Sequence, residues 1–600
     1  MNVYIRALFL TVVVIFFLGS ESHARPTLEQ IEEYVFEQRK LGKKAEIVKH
    51  FGTTNFAELF LSSIDLEEVD FSGANLREAS LYGANLKGAN LSRVNLKQAD
   101  LSSARLDNAD FSYTDLTDSD IQDASAIGTN FHKSSLNNVS FISSVVTKAD
   151  FSDADLENVK MYKSNINNAN FSGANMYGAD LQRSLIKKAD FTGTYLESSD
   201  LQGSDLSDSN MKNADLTGAL ISRAIFKNAN LEGVILDDAI GYFTNFEGAQ
   251  MDEVKASRGT FLKAKMMNTS LRNATFSSSN LGGVDFENSD MKGITAKEAN
   301  FKGATLLRTN LDNSDFERAS FINANLKLSS LSNSFLKGVQ MNGSQLLSVD
   351  FRNSDLTQAS IWDSNLVGAK LEGANLEGAS IKDSNLRNTD ILKAKLNKVL
   401  ILDVEGVETI ISRLHKKGVF TSINEIEKAA KETKDLSYMN LENLDLKSVN
   451  LSGANLSYGF FSKSVFTDAN LNQVDFTGAN LTRATIEKAK VKKANFTSAI
   501  LNRTNLRGSK LDKSDFTDAD LRGAELWRSS LAGAIFRNTN LEGTNLIQTN
   551  LYKAMFDGAK MHRADTRGAI LYKSIFKDIK GLNKEKLEKL EVRTKIKPKL

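Results

Sequence analysis

The sequence predicts an all-β solenoid, a chain wound into coils that are stabilised mainly by the coils above and below them. Three observations predict it. The stretch from Leu81 to Asp100, LYGANLKGANLSRVNLKQAD, passes four times through one five-residue phrase: a small residue, Asn or Asp, Leu or Phe, then two polar residues. The Leu/Phe, called the centre below, recurs at every fifth position from Leu61 to Ile401 and again from Leu436 to Phe576, with few lapses. A 3.6-residue helix would carry such a repeat around its whole circumference, and a strand would flip it from face to face. A chain that turns a corner every five residues buries it consistently, with each centre and the small residue two before it inside and the other three outside. Finally, Phe111, Phe131, Phe151, Phe171 and Phe191 stand twenty apart, as do Phe476, Phe496, Phe516, Phe536, Phe556 and Phe576. Like side chains stack on like when a coil is twenty residues long.

The phrase, as in Ala84-Asn85-Leu86-Lys87-Gly88 or Ala454-Asn455-Leu456, is similar to that of the pentapeptide-repeat proteins and covers most of the chain. The resemblance implies a right-handed quadrilateral β-helix with four pentapeptides to a coil. On that basis the sequence predicts two arrays, with short helical caps and a helical insert.

In chain order, residues 1–24 read as an export signal. Arg6 precedes an apolar run from Ala7 to Leu18, and Ser22-His23-Ala24 suits a signal peptidase. The alternative is an uncleaved anchor, for which the apolar run is short. Residues 25–55 form an N-terminal helical cap: Thr27 and Gln30 can make a capping box, Leu28, Ile31 and Val35 share a face, and Gly42 is a stop. A cap is needed because an open β-helix end exposes unpaired backbone.

Residues 56–401 form the first β-helix. Leu59 and Ile64, larger than the usual inward residue, plug its start. Ile294 with Ala296 and Val254 with Ala256 conserve interior volume. Ala124 with Ala126 has no such compensation, and Gly241 is a missing centre, so a local bulge is expected at both places. Residues 402–435 form a helical hairpin: Val407, Ile410, Ile411 and Leu414 share one helical face, and Ser422 with Glu425 caps a second helix through Ile426. Residues 436–580 form the second β-helix, with Met439 and Leu444 as oversized inward residues at its start. Residues 581–600 are a basic tail that acts as a terminal cap or as a membrane-surface or dimerising helix.

Composition narrows the function. With 75 basic and 74 acidic residues the formal charge is +1, so direct nucleic-acid binding is not expected. The absence of cysteine excludes disulfides and thiolate metal sites. Pro26 and Pro598, the two prolines, lie outside the repeats, in keeping with a backbone whose N–H groups all pair. The five histidines are scattered, and no phosphate loop, nucleophile elbow or dinucleotide fingerprint appears. Glycines such as Gly173 and Gly203 stand two after a centre, where a turn needs positive φ. No catalytic residue, cofactor or metal is expected, and the chain is read as no enzyme.

The residue after each centre points outward, and its position modulo twenty names a face. On two adjacent faces it is repeatedly apolar: Tyr162, Tyr242, Leu262, Met267, Leu347, Trp362 and Val367 in the first array, and Trp527, Ile547, Tyr552 and Tyr572 on the corresponding faces of the second. Segregated apolar exposure marks a contact surface. The reading is a noncatalytic exported scaffold, periplasmic or secreted, or in the thylakoid lumen of a photosynthetic source. It would bind a protein or a cell surface along this edge, with no transmembrane segment in the mature chain. The family supplies an alternative, since some members are similar in shape and charge to duplex DNA and occupy DNA topoisomerases. A secreted effector shares the scaffold's features.

Overall fold

The computed structural model describes residues 25–581, so the export signal at 1–24 and the tail beyond Gly581 lie outside the described residues. Most pentapeptides account for their backbone N–H groups in the same way. For the centre Phe71, the N–H donates to the Asn90 carbonyl of the next coil at 2.8 Å and that of Gly73 to Ser92 O at 3.1 Å. The N–H of Ala74 closes a turn on Phe71 O at 2.9 Å, and that of Asn75 reaches back to Thr54 O at 2.6 Å. The remaining donor, Ser72 N–H, is taken by the Asp70 carboxylate at 2.9 Å. This explains the Asn or Asp before so many centres: its side chain caps the turn that follows. It also explains why proline is kept out of the coils.

The bridges so formed are parallel and, apart from Glu46↔Asp70, link residues twenty apart. The third turn residue sits in the left-handed region, as at Gly173 (φ 69°) and Gly203 (φ 68°), but also at Glu78, Arg93 and Lys148. A non-glycine there costs about 1 kcal/mol, which the turn and inter-coil bonds offset. One column alternates Asp70, Asn90, Asp110, Asn130, Asp150, Asn170, with Asn90, Asn130 and Asn170 Nδ2 each donating to the carboxylate one coil before at 3.0, 2.9 and 2.9 Å. Alternation puts a neutral donor between carboxylates that would otherwise repel at one coil's separation.

Inside, the rings of Phe131 and Phe151 stack at 4.8 Å and 5°, and those of Phe151 and Phe171 at 4.8 Å and 0°. Phe496 and Phe516 stack likewise at 4.8 Å. Inward Ser and Thr are tolerated because their hydroxyls bond the preceding coil, as Thr114 Oγ1 to Leu91 O at 2.7 Å and Ser364 Oγ to Met341 O at 2.7 Å.

The chain divides into two compact units after Thr260. In the first, helix α1 (Leu28–Lys40) starts on the Thr27/Gln30 capping box and buries Ile31 and Val35, whereas Leu28 is exposed. Helix α2 (Ile47–Phe51) buries Ile47. Between them Asp70 N–H donates to Ala45 O and Ile47 N–H to Asp70 O, both at 2.9 Å, which pairs backbone that an uncapped end would leave open. The bulges expected at Ala126 and Gly241 are absent. Ala126 N–H meets Val145 O at 2.8 Å and Gly241 N–H meets Thr260 O at 2.7 Å, so the coil keeps its register where the centre is small. Fixed inter-coil pairing outweighs the loss of one side chain's packing.

In the second unit, coils run on to short strands β1 (Ser360–Trp362), β2 (Ser380–Lys382) and β3 (Leu400–Leu402), parallel and in twenty-residue register. Helices α3 (Ile411–His415) and α4 (Ile423–Glu432) follow, the latter capped by Ser422 accepting from Glu425 N–H. Leu414 is buried, whereas Ile411 is exposed. Ile426 and Ala430 of α4 join Leu436, Met439 and Leu444 in the core of the run of coils that begins at Asp435, closing its first coil.

That second run docks against the side of the earlier coils. Asn440 N–H donates to Gly378 O at 2.7 Å, and Asn440 Nδ2 donates to Gln358 O at 2.7 Å and to Ser360 Oγ at 3.0 Å. Gln358 Nε2 donates to Tyr458 O at 2.7 Å, and Lys398 Nζ pairs with Asp435 at 2.8 Å. Glu442 lies in this joint, 9% exposed. Burial pushes its carboxyl up to about 7, against the opposing pull of Lys463 and a hydrogen bond with Ser360.

Candidate functional surfaces of the coil walls

The outward residue after each centre is flanked by turn backbone, so it stands on the wall with its base covered by neighbouring coils. Tyr242 is 40% exposed. Tyr162, Leu262, Met267, Leu347, Val367, Trp527, Ile547, Tyr552 and Tyr572 are half-buried. Trp362 departs from the sequence reading. It is buried at 9%, and its Nε1 donates to Ser380 Oγ at 3.1 Å. The wall bearing it is the one the second run of coils docks against, through Gln358 and Ser360. Trp362 therefore serves the molecule's own joint.

In the first unit Tyr162 and Tyr242 share a column; Arg183 Nη1 donates to Tyr162 Oη at 3.4 Å and Lys163 lies 4.9 Å over the ring. In the second unit Leu347 and Val367 sit on successive coils, and Leu262 lies over the bare Cα of Gly282. The densest grouping is on the last coils. Tyr552 and Tyr572 stack at 5.9 Å, with Lys553 and Lys573 over their rings, and Arg528 lies 4.3 Å over Trp527.

Sequence reasoning that followed only the residue after each centre missed other exposed apolar chains. Phe60 is 79% exposed, and Leu185, Tyr195, Phe335 and Ile575 are also exposed, all immediately before a centre. They fall on several faces, so the two-face segregation belongs to one register position and not to the whole wall. Extending the same modulo-twenty count to every outward position would have revealed them.

Ion pairs bridge neighbouring coils with alternating sign, as in Lys212–Glu232 at 3.0 Å, Arg258–Asp238 at 2.6 Å and Lys297–Asp315 at 3.0 Å. Burial and the charge of Asp180 raise the Asp200 carboxyl, two like charges one coil apart. His50 of α2 stacks on Tyr34 of α1 at 3.6 Å within the cap, and His132 Nδ1 lies 2.8 Å from Ser152 Oγ on the wall. Among the described residues no group of His, Asp or Glu is arranged to hold a metal ion, and no helix is long and apolar enough to cross a membrane.

Parallel coils of twenty residues, turned at every fifth and filled by stacked centres, define a four-walled β-solenoid. The chain belongs to the pentapeptide-repeat family. The sequence pattern described as pentapeptide repeats matches residues 61–98, 189–258, 263–293, 297–333, 364–400, 435–497 and 499–571, and a pentapeptide repeat region matches 94–171. Similar solved structures include HetL, a pentapeptide repeat protein involved in heterocyst differentiation regulation from the cyanobacterium Nostoc sp. strain PCC 7120. It is 21% identical, covering 52% of this chain and 97% of its own, with a TM-score of 0.16. QnrB1, a plasmid-mediated fluoroquinolone resistance protein, is 17% identical over 39% of this chain and 95% of its own, with a TM-score of 0.17. A pentapeptide repeat protein of the Arabidopsis thaliana thylakoid lumen is 28% identical over 20% of this chain and 73% of its own, with a TM-score of 0.12. Among curated proteins none matches this chain significantly.

Proposed function

We propose that this protein is a noncatalytic exported scaffold that binds a protein or cell-surface partner through apolar stretches of its coil walls. The observation that carries the reading is the cluster of Trp527, Ile547, Tyr552 and Tyr572 on adjacent columns of the last coils. Aromatic rings on a rigid wall bind at low entropic cost, because their backbone is already fixed. The basic and apolar signature of residues 1–24 supports export to the periplasm, the exterior or a thylakoid lumen. A topoisomerase-occupying DNA mimic would need a continuous acidic stripe, and the interleaved ion pairs along the walls favour the scaffold instead.

The test is retention of crosslinked partners by the immobilised protein from fractionated source cells. Trp527→Ala combined with Tyr552→Ala is expected to reduce retention while circular dichroism and melting stay close to wild type. Full retention by the double variant sinks the aromatic-wall reading.

A further inference from the structure

Beside the joint in the second unit lies a cleft of about 710 Å³, walled on one side by Gln340 and on the other by Lys463, Arg483, Arg503 and Arg522. Lys463, Arg483 and Arg503 occupy the same register position on three successive coils, so their Cα atoms stand about 4.8 Å apart. One of the four cations is ion-paired. Arg522 is held by Asp520 at 2.7 Å, and Lys463 faces the buried Glu442. Arg483 and Arg503 form no ion pair among the described residues, so both guanidinium groups are free to meet a ligand. Arg503 lies along Gly523, whose missing side chain keeps the cleft open.

A parallel row of polar side chains, Ser462, Thr482 and Asn502, lines the same cleft. Asn502 bonds the Asp520 carboxylate, but its Oδ1 is a buried acceptor without a partner. A buried acceptor left unpaired costs about 1–3 kcal/mol, so the site is one hydrogen-bond donor short.

We propose that this cleft binds an acidic glycan, with carboxylates on Arg483 and Arg503 and sugar hydroxyls on the Ser462–Thr482–Asn502 row. Guanidinium groups pair with carboxylates through two parallel hydrogen bonds. A hydroxylated sugar supplies both donors and acceptors to the Ser462–Thr482–Asn502 row. A DNA phosphodiester backbone offers acceptors alone, and a net charge of +1 lacks the extended basic footprint of nucleic-acid binders. An extended acidic peptide repeats its side chains on one face at about 6.8 Å, out of step with coils about 4.8 Å apart.

The experiment is calorimetric titration of the full chain with an oligogalacturonate at low salt, against a neutral oligosaccharide, polyglutamate and duplex DNA of matched charge. The oligogalacturonate is expected to bind, with affinity falling as salt rises. Arg483→Ala with Arg503→Ala is expected to weaken it by at least about tenfold, with an unchanged circular dichroism spectrum. Lys493→Ala with Lys513→Ala, a pair of the same spacing on another wall, is expected to leave it within about twofold. Failure of the oligogalacturonate to bind overturns the proposal, as does equal weakening by the control pair or tighter binding of polyglutamate or DNA. None of these outcomes bears on the aromatic wall, whose variants lie outside the cleft.

Discussion

Replacing Glu442 by Gln isolates the electrostatics of the joint between the two runs of coils. The carboxyl is surrounded by Lys463, the Ser360 hydroxyl and the side chain of Asn440, whose Oδ1 accepts from Glu442 N–H at 3.1 Å. Burial raises its value from 4.5 to about 7. A raised carboxyl binds its proton more tightly in the docked state. The joint is therefore strongest in acid, loses stability as pH rises from about 4.5, and levels off above about 7. At about 1.4 kcal/mol per unit, the ionised form weakens docking by roughly 3 kcal/mol at pH 8, against under about 1 kcal/mol at pH 5. The neutral amide escapes this penalty. Hydrogen exchange of the Asn440 amide, bonded to Gly378 O, reports opening, and comparing Glu442→Gln with wild type at one pH cancels the intrinsic rate. The variant is expected to exchange a few hundredfold more slowly at pH 8 and only about fourfold more slowly at pH 5. Equal exchange at pH 8 would refute the reasoning.

Other perturbations test separate parts. Phe131→Ala removes a ring stacked between Phe111 and Phe151 and is expected to cost about 3–5 kcal/mol locally, read as faster exchange of amides 111–151 than of those near Phe71. Gly378→Ala puts a methyl against the Tyr438 carbonyl, at a position with φ 68°, so the Asn440 amide should lose protection while the last coils keep theirs. Trp362→Ala, at a residue the sequence places on an outward face, is expected to weaken the joint by about 3 kcal/mol or more, measured by the same exchange. Thr27→Ala breaks the capping box of α1 and should cost about 1 kcal/mol, seen as earlier loss of helical signal on heating.

The period was legible because every centre answers to the same surroundings: Phe111 to Phe191 repeat only because each meets its own kind one coil away. The capping box at Thr27 was legible for the opposite reason, being wholly local. What the repeats concealed was anything set by one coil meeting another outside the helix. Trp362 and Tyr162 follow their centres at the same position modulo twenty, yet one is buried and the other lies on an open wall. The difference comes from Asn440 and Gln358, residues eighty-two apart that no period connects. Gly241 misled because a missing centre suggests lost register, whereas register is kept by main-chain bonds indifferent to the side chain. The row Lys463, Arg483, Arg503 was written in the sequence at twenty-residue spacing, two positions after a centre, and was passed over by attention to apolar residues.

The twenty-residue coil places every side chain on its wall, and a chain without cysteine allows a direct measurement of it. His132 and Ser152 touch across one coil, His132 Nδ1 lying 2.8 Å from Ser152 Oγ. Cα atoms so stacked, about 4.8 Å apart, lie within the range a disulfide spans. The double substitution His132→Cys with Ser152→Cys should form an intramolecular disulfide rapidly on mild oxidation, while His132→Cys with Glu157→Cys, one wall further on, should not. Crosslinking of the second pair in preference to the first would contradict the coil, and with it the placement of every side chain on the walls.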